Sequence, residues 1–277
     1  MPLKIAAPAA KAVFQIGVAA DWPSMLFKTD GSGEHKWKWT IVWRTFNKSG
    51  TATTAGNEWD AKAAVTNLGG ALTVEATASA GNASVAVSIT GTNPLAADVT
   101  AYVGLNPNGV GFDKILSHET KMKHFGPTGE PIKSFDNGYG MAQLTTPTPT
   151  FEQVWNWKLN VDGGIKLFQQ KVSAAKTYLS QSGRTYTQGQ LKFEAVCRWN
   201  GGSYHTWDAT AKAWARNPAM LCDTKTGNIG WDMTDDKNKG KTEADLRKRD
   251  QSGYSSPPKA DDHWKYSGVC YADAVLA

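Results

Sequence analysis

Lys36-Trp37-Lys38-Trp39-Thr40-Ile41-Val42-Trp43 alternates large apolar side chains with mostly polar ones. In an extended chain successive side chains point to opposite faces. Trp37, Trp39, Ile41 and Trp43 therefore share one face and the two lysines take the other. The run reads as a half-buried β-strand, and its tryptophans are assigned to a core rather than to stacking on nucleic-acid bases. The alternation returns at Leu72, Val74 and Ala76, and again at Val85, Val87 and Ile89. Turn chemistry separates these runs at Asn47-Lys48-Ser49-Gly50, Gly69-Gly70, Gly81-Asn82 and Gly91-Thr92-Asn93-Pro94. Short strands at this spacing predict a small, Ig-like β-sandwich over residues 1–105, with 1–33 as an extended arm or first strand.

The pattern changes at Asn106-Pro107-Asn108-Gly109, a loop-forming run. Phe112, Ile115, Leu116, Glu119 and Met122 follow at helical spacing and predict a helix through about His124. Thr150 and Gln153 form a capping-box pair that opens a helix through Trp155 and Trp157. Ile165 to Leu179 marks a longer helix, and Leu191 to Trp199 another. Residues 223–263 are polar and read as a surface excursion, helical around 242–250, before Trp264 to Leu276 turns apolar again. The expected fold class is α+β in two domains: the sandwich, then a mainly α domain over 106–277.

Among the 277 residues, 40% are apolar and 12 are Trp, enough for a packed core. The formal charge of +5 suits an anionic partner such as nucleic acid, a membrane surface or a bacterial wall, without selecting one. No run approaches the roughly 18 apolar residues of a membrane span. Val13 to Ala20 is short and interrupted by Gln15, so no cleaved signal is expected. Three cysteines, Cys197, Cys222 and Cys270, leave at least one thiol. Cys222–Cys270 is the preferred disulfide, with three small buried residues as the alternative.

Glu119 is the most informative side chain. On a helix it shares a face with Phe112 and Ile115, where an ionised carboxylate is costly, so its pKa is expected to rise. From the helix alone, an ion pair with Lys123 four residues on is the commoner role. The downstream sequence changes that balance. Gly138-Tyr139-Gly140-Met141-Ala142-Gln143-Leu144 combines close-approach glycines with an aromatic ring, a thioether and an amide, a mixture suited to a sugar ring. Trp199-Asn200-Gly201-Gly202, with Tyr204 beside it, repeats that chemistry at a helix end.

In this order the three segments resemble the lytic transglycosylase and goose-type lysozyme superfamily, over roughly residues 106–215. Glu119-Thr120 is similar to that family's Glu-Ser, with Thr120 keeping the hydroxyl. Ala142 stands where the family prefers Met, and Trp199 where it has Tyr. The resemblance implies a lysozyme-like catalytic domain over 106–277. It would cleave peptidoglycan glycan strands at the MurNAc–GlcNAc β-1,4 bond, as a lytic transglycosylase or muramidase. Glu119 is then the catalytic acid and base. Thr120, Tyr139, Met141, Gln143, Trp199, Asn200 and Tyr204 are the expected substrate contacts. Asp136 is the candidate second carboxylate that would hold a water and favour hydrolysis. A turn role within Ser134-Phe135-Asp136-Asn137-Gly138 is the reading preferred for it. Glu194 reads as a solvated helix residue.

The architecture is loosely similar to wall-degrading proteins of phage tails and interbacterial toxin systems. That likeness implies a secretion-spike or tail partner, an immunity protein, and action in the periplasm or cell wall after export without a cleaved signal. The alternative is a protein that binds peptidoglycan, or builds a spike or tail, while keeping a lysozyme fold without activity. No cofactor, metal, nucleic acid or membrane insertion is expected. His118-Glu119-Thr120-Lys121-Met122 lacks the second histidine of a zinc-protease motif. His118, His124 and His205 have no ligand partner at metal spacing and default to surface or groove roles. The 232–240 segment lacks the glycine and terminal glutamate of a calcium loop.

Overall fold

A computed structural model describes residues 2–223, 227, 229–250 and 263–277. They fall into two compact units, Met1–Gly164 and Ile165–Ala277, so the junction expected near residue 106 lies inside the first.

The first unit opens with strands β1 (Ile5–Ala7), β2 (Val13–Ile16), β3 (Leu26–Thr29), β4 (His35–Trp43), β5 (Phe46–Thr54) and β6 (Glu58–Asp60). A short helix α1 (Lys62–Val65) leads to β7 (Gly70–Ala78) and β8 (Gly81–Gly91). Five strands pair in the order β2-β8-β7-β4-β5, with β2 parallel to β8 and the other pairs antiparallel. A second, antiparallel sheet has the order β1-β3-β6. The register aligns the apolar faces read from the sequence: Trp39 opposes Val74, which opposes Val85, and Ile41 opposes Leu72, which opposes Val87. Trp37, Trp39, Ile41 and Trp43 are buried, as period-two alternation requires. Trp59 of β6 lies 5.9 Å from Trp37 and 6.0 Å from Phe27, so both sheets contribute to one core.

Helices follow: α2 (Ala96–Gly104), α3 (Phe112–Thr120), α4 (Phe151–Trp155) and α5 (Trp157–Leu179). The capping box at Thr150 and Gln153 is present. The helix it opens ends at Trp155, because Asn156 is extended (φ −102°, ψ 111°) and its Oδ1 accepts from Lys158 N at 2.9 Å. One expected helix is thus two, and Asn156 helps to start the second. Phe151, Val154 and Trp155 complete the sheet core, with Phe151 stacked 5.6 Å from Phe46.

The second unit holds the rest of α5, then α6 (Gln188–Asn200), β9 (His205–Asp208), β10 (Ala213–Arg216), β11 (Met220–Cys222), β12 (Ile229–Asp232), α7 (Glu243–Asp250), β13 (Trp264–Tyr266) and α8 (Gly268–Leu276). β9 and β10 form a hairpin, and β11-β12-β13 a three-stranded sheet. This corrects the expected fold class. The described residues carry thirteen strands in four sheets and eight α-helices, five of the strands after residue 204. A β-sandwich followed by a mainly α lysozyme-like domain is not the architecture of this chain; it is mixed α/β. The missed strands are only three or four residues long, too short to print a period.

Cys222–Cys270 is a disulfide that ties β11 to α8, and Cys197 is a buried free thiol. The 242–250 helix is α7, whereas residues 224–226, 228 and 251–262 of the expected excursion lie outside the described residues. No helix among the described residues is long and apolar enough to cross a membrane.

Candidate active site

Phe112, Ile115 and Leu116 bury one face of α3 and bring its last turn, with Glu119, to a half-buried position. The helix stops at Thr120 because Lys121 (φ 55°) and Met122 (φ 56°) turn left-handed. Lys121 N then bonds Ser117 O at 3.0 Å, and Met122 N bonds Leu116 O at 3.2 Å. The predicted continuation to His124 is therefore absent, and Met122 is not on the helical face of Glu119. The Thr120 hydroxyl donates to Met141 O at 3.1 Å, with Leu116 O a second, longer acceptor at 3.3 Å. That bond fastens the end of α3 to the Gly138–Leu144 loop.

The loop is held from below by two buried polar side chains. Asn160 of α5 accepts from Ala142 N at 2.8 Å and donates to Tyr139 O at 3.0 Å. His124 lies 2.8 Å from Val154 O, which can only accept, so Nε2 carries the proton. Its Nδ1 is then the acceptor for Met141 N at 3.1 Å. Complete burial holds the imidazole pKa down at about 4, against a weaker upward pull from the Val154 carbonyl. The surface or groove role expected for His124 is corrected: it is a fully buried prop.

This prop has a pH consequence. With a folded pKa below the unfolded one, the unfolded chain binds more protons between about pH 4 and 6.5, so stability rises with pH across that window. Moving from pH 7 to pH 4.5 is expected to cost about 2–3 kcal/mol through this residue. Urea unfolding at both values, with His124→Gln as the comparison, checks it. Equal losses in the two proteins would remove His124 as the cause.

Gly140 (φ +69°) makes the close approach possible. A Cβ there would stand 2.5 Å from His124 Cε1 and 2.7 Å from Asn160 Nδ2. Gly140→Ala adds left-handed strain to that overlap and is expected to destabilise by about 3 kcal/mol. Gly104→Ala, which meets nothing within 4 Å, should be close to neutral; urea unfolding of the two variants beside the wild type checks both.

The expected site residues divide sharply by burial. Gln143 is half-buried, and its Nε2 donates to Gly140 O at 2.7 Å. Met141 is fully buried and has no surface to offer a ligand. Tyr139 is also buried, edge-on to Phe46 at 5.5 Å and Trp43 at 6.2 Å. Both serve the core beneath the loop. Asp136 sits on an exposed turn in which Ser134 Oγ bonds Asp136 Oδ1, Gly138 N bonds Ser134 Oγ at 2.8 Å, and Asn137 is left-handed. That geometry is the turn role.

Trp199, Asn200 and Tyr204 belong to the second unit, at and just beyond the end of α6. Trp199 is half-buried, 6.3 Å from Phe168, and Asn200 is exposed. Tyr204 is buried and donates its hydroxyl to Asp273 Oδ1 at 2.6 Å. Burial, then the Asp273 carboxylate, pushes that phenol well above its ordinary pKa. Glu194 is not the solvated residue expected from sequence; it is fully buried. Its Oε2 accepts from Tyr204 N and His205 N at 3.0 Å and from His205 Nδ1 at 3.1 Å, while Oε1 lies 2.9 Å from Arg198 Nη2. His205 is likewise buried rather than a surface residue. The only sequence signal for this cluster was a carboxylate inside the apolar run Phe193 to Val196.

Comparison with protein-family models and with curated proteins returns no match for this chain. Among the described residues no group of three or more His, Cys, Asp or Glu is placed to hold a metal.

Proposed function

We propose that this protein cleaves the glycan strands of peptidoglycan at the MurNAc–GlcNAc β-1,4 bond, with Glu119 as the single acid and base. The observation that supports this most is the bond from Thr120 Oγ1 to Met141 O at 3.1 Å. It joins the turn carrying Glu119 to the glycine-rich loop carrying the half-buried amide of Gln143, across a separation of 21 residues. Glu119 would protonate the glycosidic oxygen as the bond to the anomeric carbon breaks. As a carboxylate it would then take a proton from the nucleophile that attacks that carbon. If the nucleophile is the sugar's own 6-hydroxyl, the product is a 1,6-anhydro end; if it is water, the product is hydrolysed. The exposed turn position of Asp136 favours the first outcome, because no second carboxylate is then assigned to hold a water. The reading places the protein in the periplasm or cell wall when it acts, with a spike or tail protein and an immunity protein as candidate partners.

The competing reading is a protein that binds peptidoglycan, or builds a spike or tail, without cutting. The burial of Tyr139 and Met141 favours its structural form, a spike or tail component, since both were expected to touch sugar. Incubation with purified peptidoglycan, followed by mass spectrometry of released muropeptides, separates the two. Anhydro-muropeptides from the wild type and none from Glu119→Gln are the expected result. Equal release by both, or none from either, sinks the catalytic reading.

A further inference from the structure

Gly126–Lys133, between the first two motifs, is given no role by glycan cleavage. In the first unit it forms one wall of a cavity. Gly91 N donates to Gly129 O at 2.7 Å, and a Cβ on Gly129 would stand 2.8 Å from Thr90 Cβ, so the loop lies directly on the end of β8. The space is an open cleft of about 420 Å³ whose lining includes Trp43, Arg44, Thr90, Thr128, Glu130 and Trp155, with Arg44 and Glu130 exposed at its mouth. That volume holds a small molecule of two or three linked units.

Three observations define what would fit. Arg44 and Glu130 line the same cavity with opposite charge, and neither has an ion-pair partner among the described residues. The indole Nε1 groups of Trp43 and Trp155 have no hydrogen-bond partner, but both are shielded from solvent, so the polar groups facing the space are those of Arg44, Thr90, Thr128 and Glu130. Finally, the aromatic faces are taken. Arg44 Cζ lies 5.0 Å over the Trp43 ring, and Trp155 packs against Gly69, where a Cβ would meet Trp155 Cε3 at 2.1 Å. A sugar would want an open ring face to stack on, and neither tryptophan offers one.

We propose that this cavity binds a small zwitterion, a free amino acid or a dipeptide with charged ends. The ligand carboxylate pairs with Arg44 and its ammonium group with Glu130, so that both ends make charge-assisted bonds. The site is independent of Glu119.

Titration calorimetry of the full chain with L-alanyl-L-alanine and with D-alanyl-D-alanine tests this. At least one is expected to bind saturably, with Kd below about 1 mM. Glu130→Gln and Arg44→Gly should each weaken binding about tenfold. Glycine suits the left-handed φ of 54° at position 44, and circular dichroism confirms that both variants are folded. N-acetyl-alanyl-alanine amide, which lacks both charges, should not bind, whereas Glu119→Gln should bind as the wild type does. Absence of saturable binding by either dipeptide overturns the proposal. So does undiminished binding by the two folded variants, or equal binding of the blocked peptide or of N-acetylglucosamine. Because the Glu119→Gln chain is used in parallel, failure here and failure of glycan cleavage are read separately.

Discussion

Glu119→Gln is expected to lower the rate of muropeptide release by at least about a thousandfold while leaving the fold intact. General acid–base catalysis by one side chain typically contributes 10²–10⁴-fold, and here a single group is asked to serve as acid and then as base. Glutamine keeps the shape of the side chain but can neither give up a proton to the glycosidic oxygen nor accept one from a hydroxyl. The stability cost should be small, because Glu119 is half-buried in the last turn of α3. A carboxylate there gains nothing from the helix dipole, and the amide can occupy the same space. Thermal unfolding beside the rate measurement is therefore decisive. A variant that is folded and inactive supports the assignment; one that is folded and retains more than about a tenth of the rate moves the chemistry elsewhere.

The second large effect is structural. Glu194→Ala is expected to destabilise the second unit by about 3–5 kcal/mol, the range for breaking a buried charged pair from one side. The loss would leave the partly buried Arg198 without its carboxylate and the buried amides of Tyr204 and His205 without an acceptor. Glu194→Gln should lose less, since its amide oxygen can still accept from some of those donors. Two compact units need not unfold together, so a global melting curve is a poor readout. Hydrogen exchange at Tyr204 and His205 reports locally. Protection there should fall by orders of magnitude in the alanine variant, and unchanged protection would show that the cluster is not holding the unit together.

Legibility in the sequence followed the range over which each signal acts. β4, β7 and β8 are 9 to 11 residues long, enough for alternation to print several periods, and the structure has them where the pattern puts them. The Thr150–Gln153 box was equally plain, because both partners lie within one turn. The end of α3 was not, since two non-glycine residues adopt the left-handed backbone and no glycine announces it. β9 to β13 were missed for their shortness, and with them the mixed character of the C-terminal half. Within the candidate site, the residue types of the Gly138–Leu144 loop were readable, but which of them face inward was not. Burial of Tyr139 and Met141 is decided by β4, β5, α3 and α5, none of them local to the loop. Glu194 was misread for the same reason: besides Arg198 one turn on, its donors lie ten and eleven residues downstream, across two glycines.

The grip on the Gly138–Leu144 loop has a bearing on how such a site can diverge. His124 holds Met141 N, Asn160 holds Tyr139 O and Ala142 N, and Thr120 holds Met141 O. Every one of these bonds goes to main-chain atoms, so the clasp asks for no particular side chain on the loop beyond the missing one at Gly140. Gln143 is the one position of the loop that is not buried, so a change in what the loop presents falls there, while Thr120, His124, Asn160 and Gly140 resist replacement. A descendant lineage could change what the loop presents to a ligand and inherit the cradle unchanged.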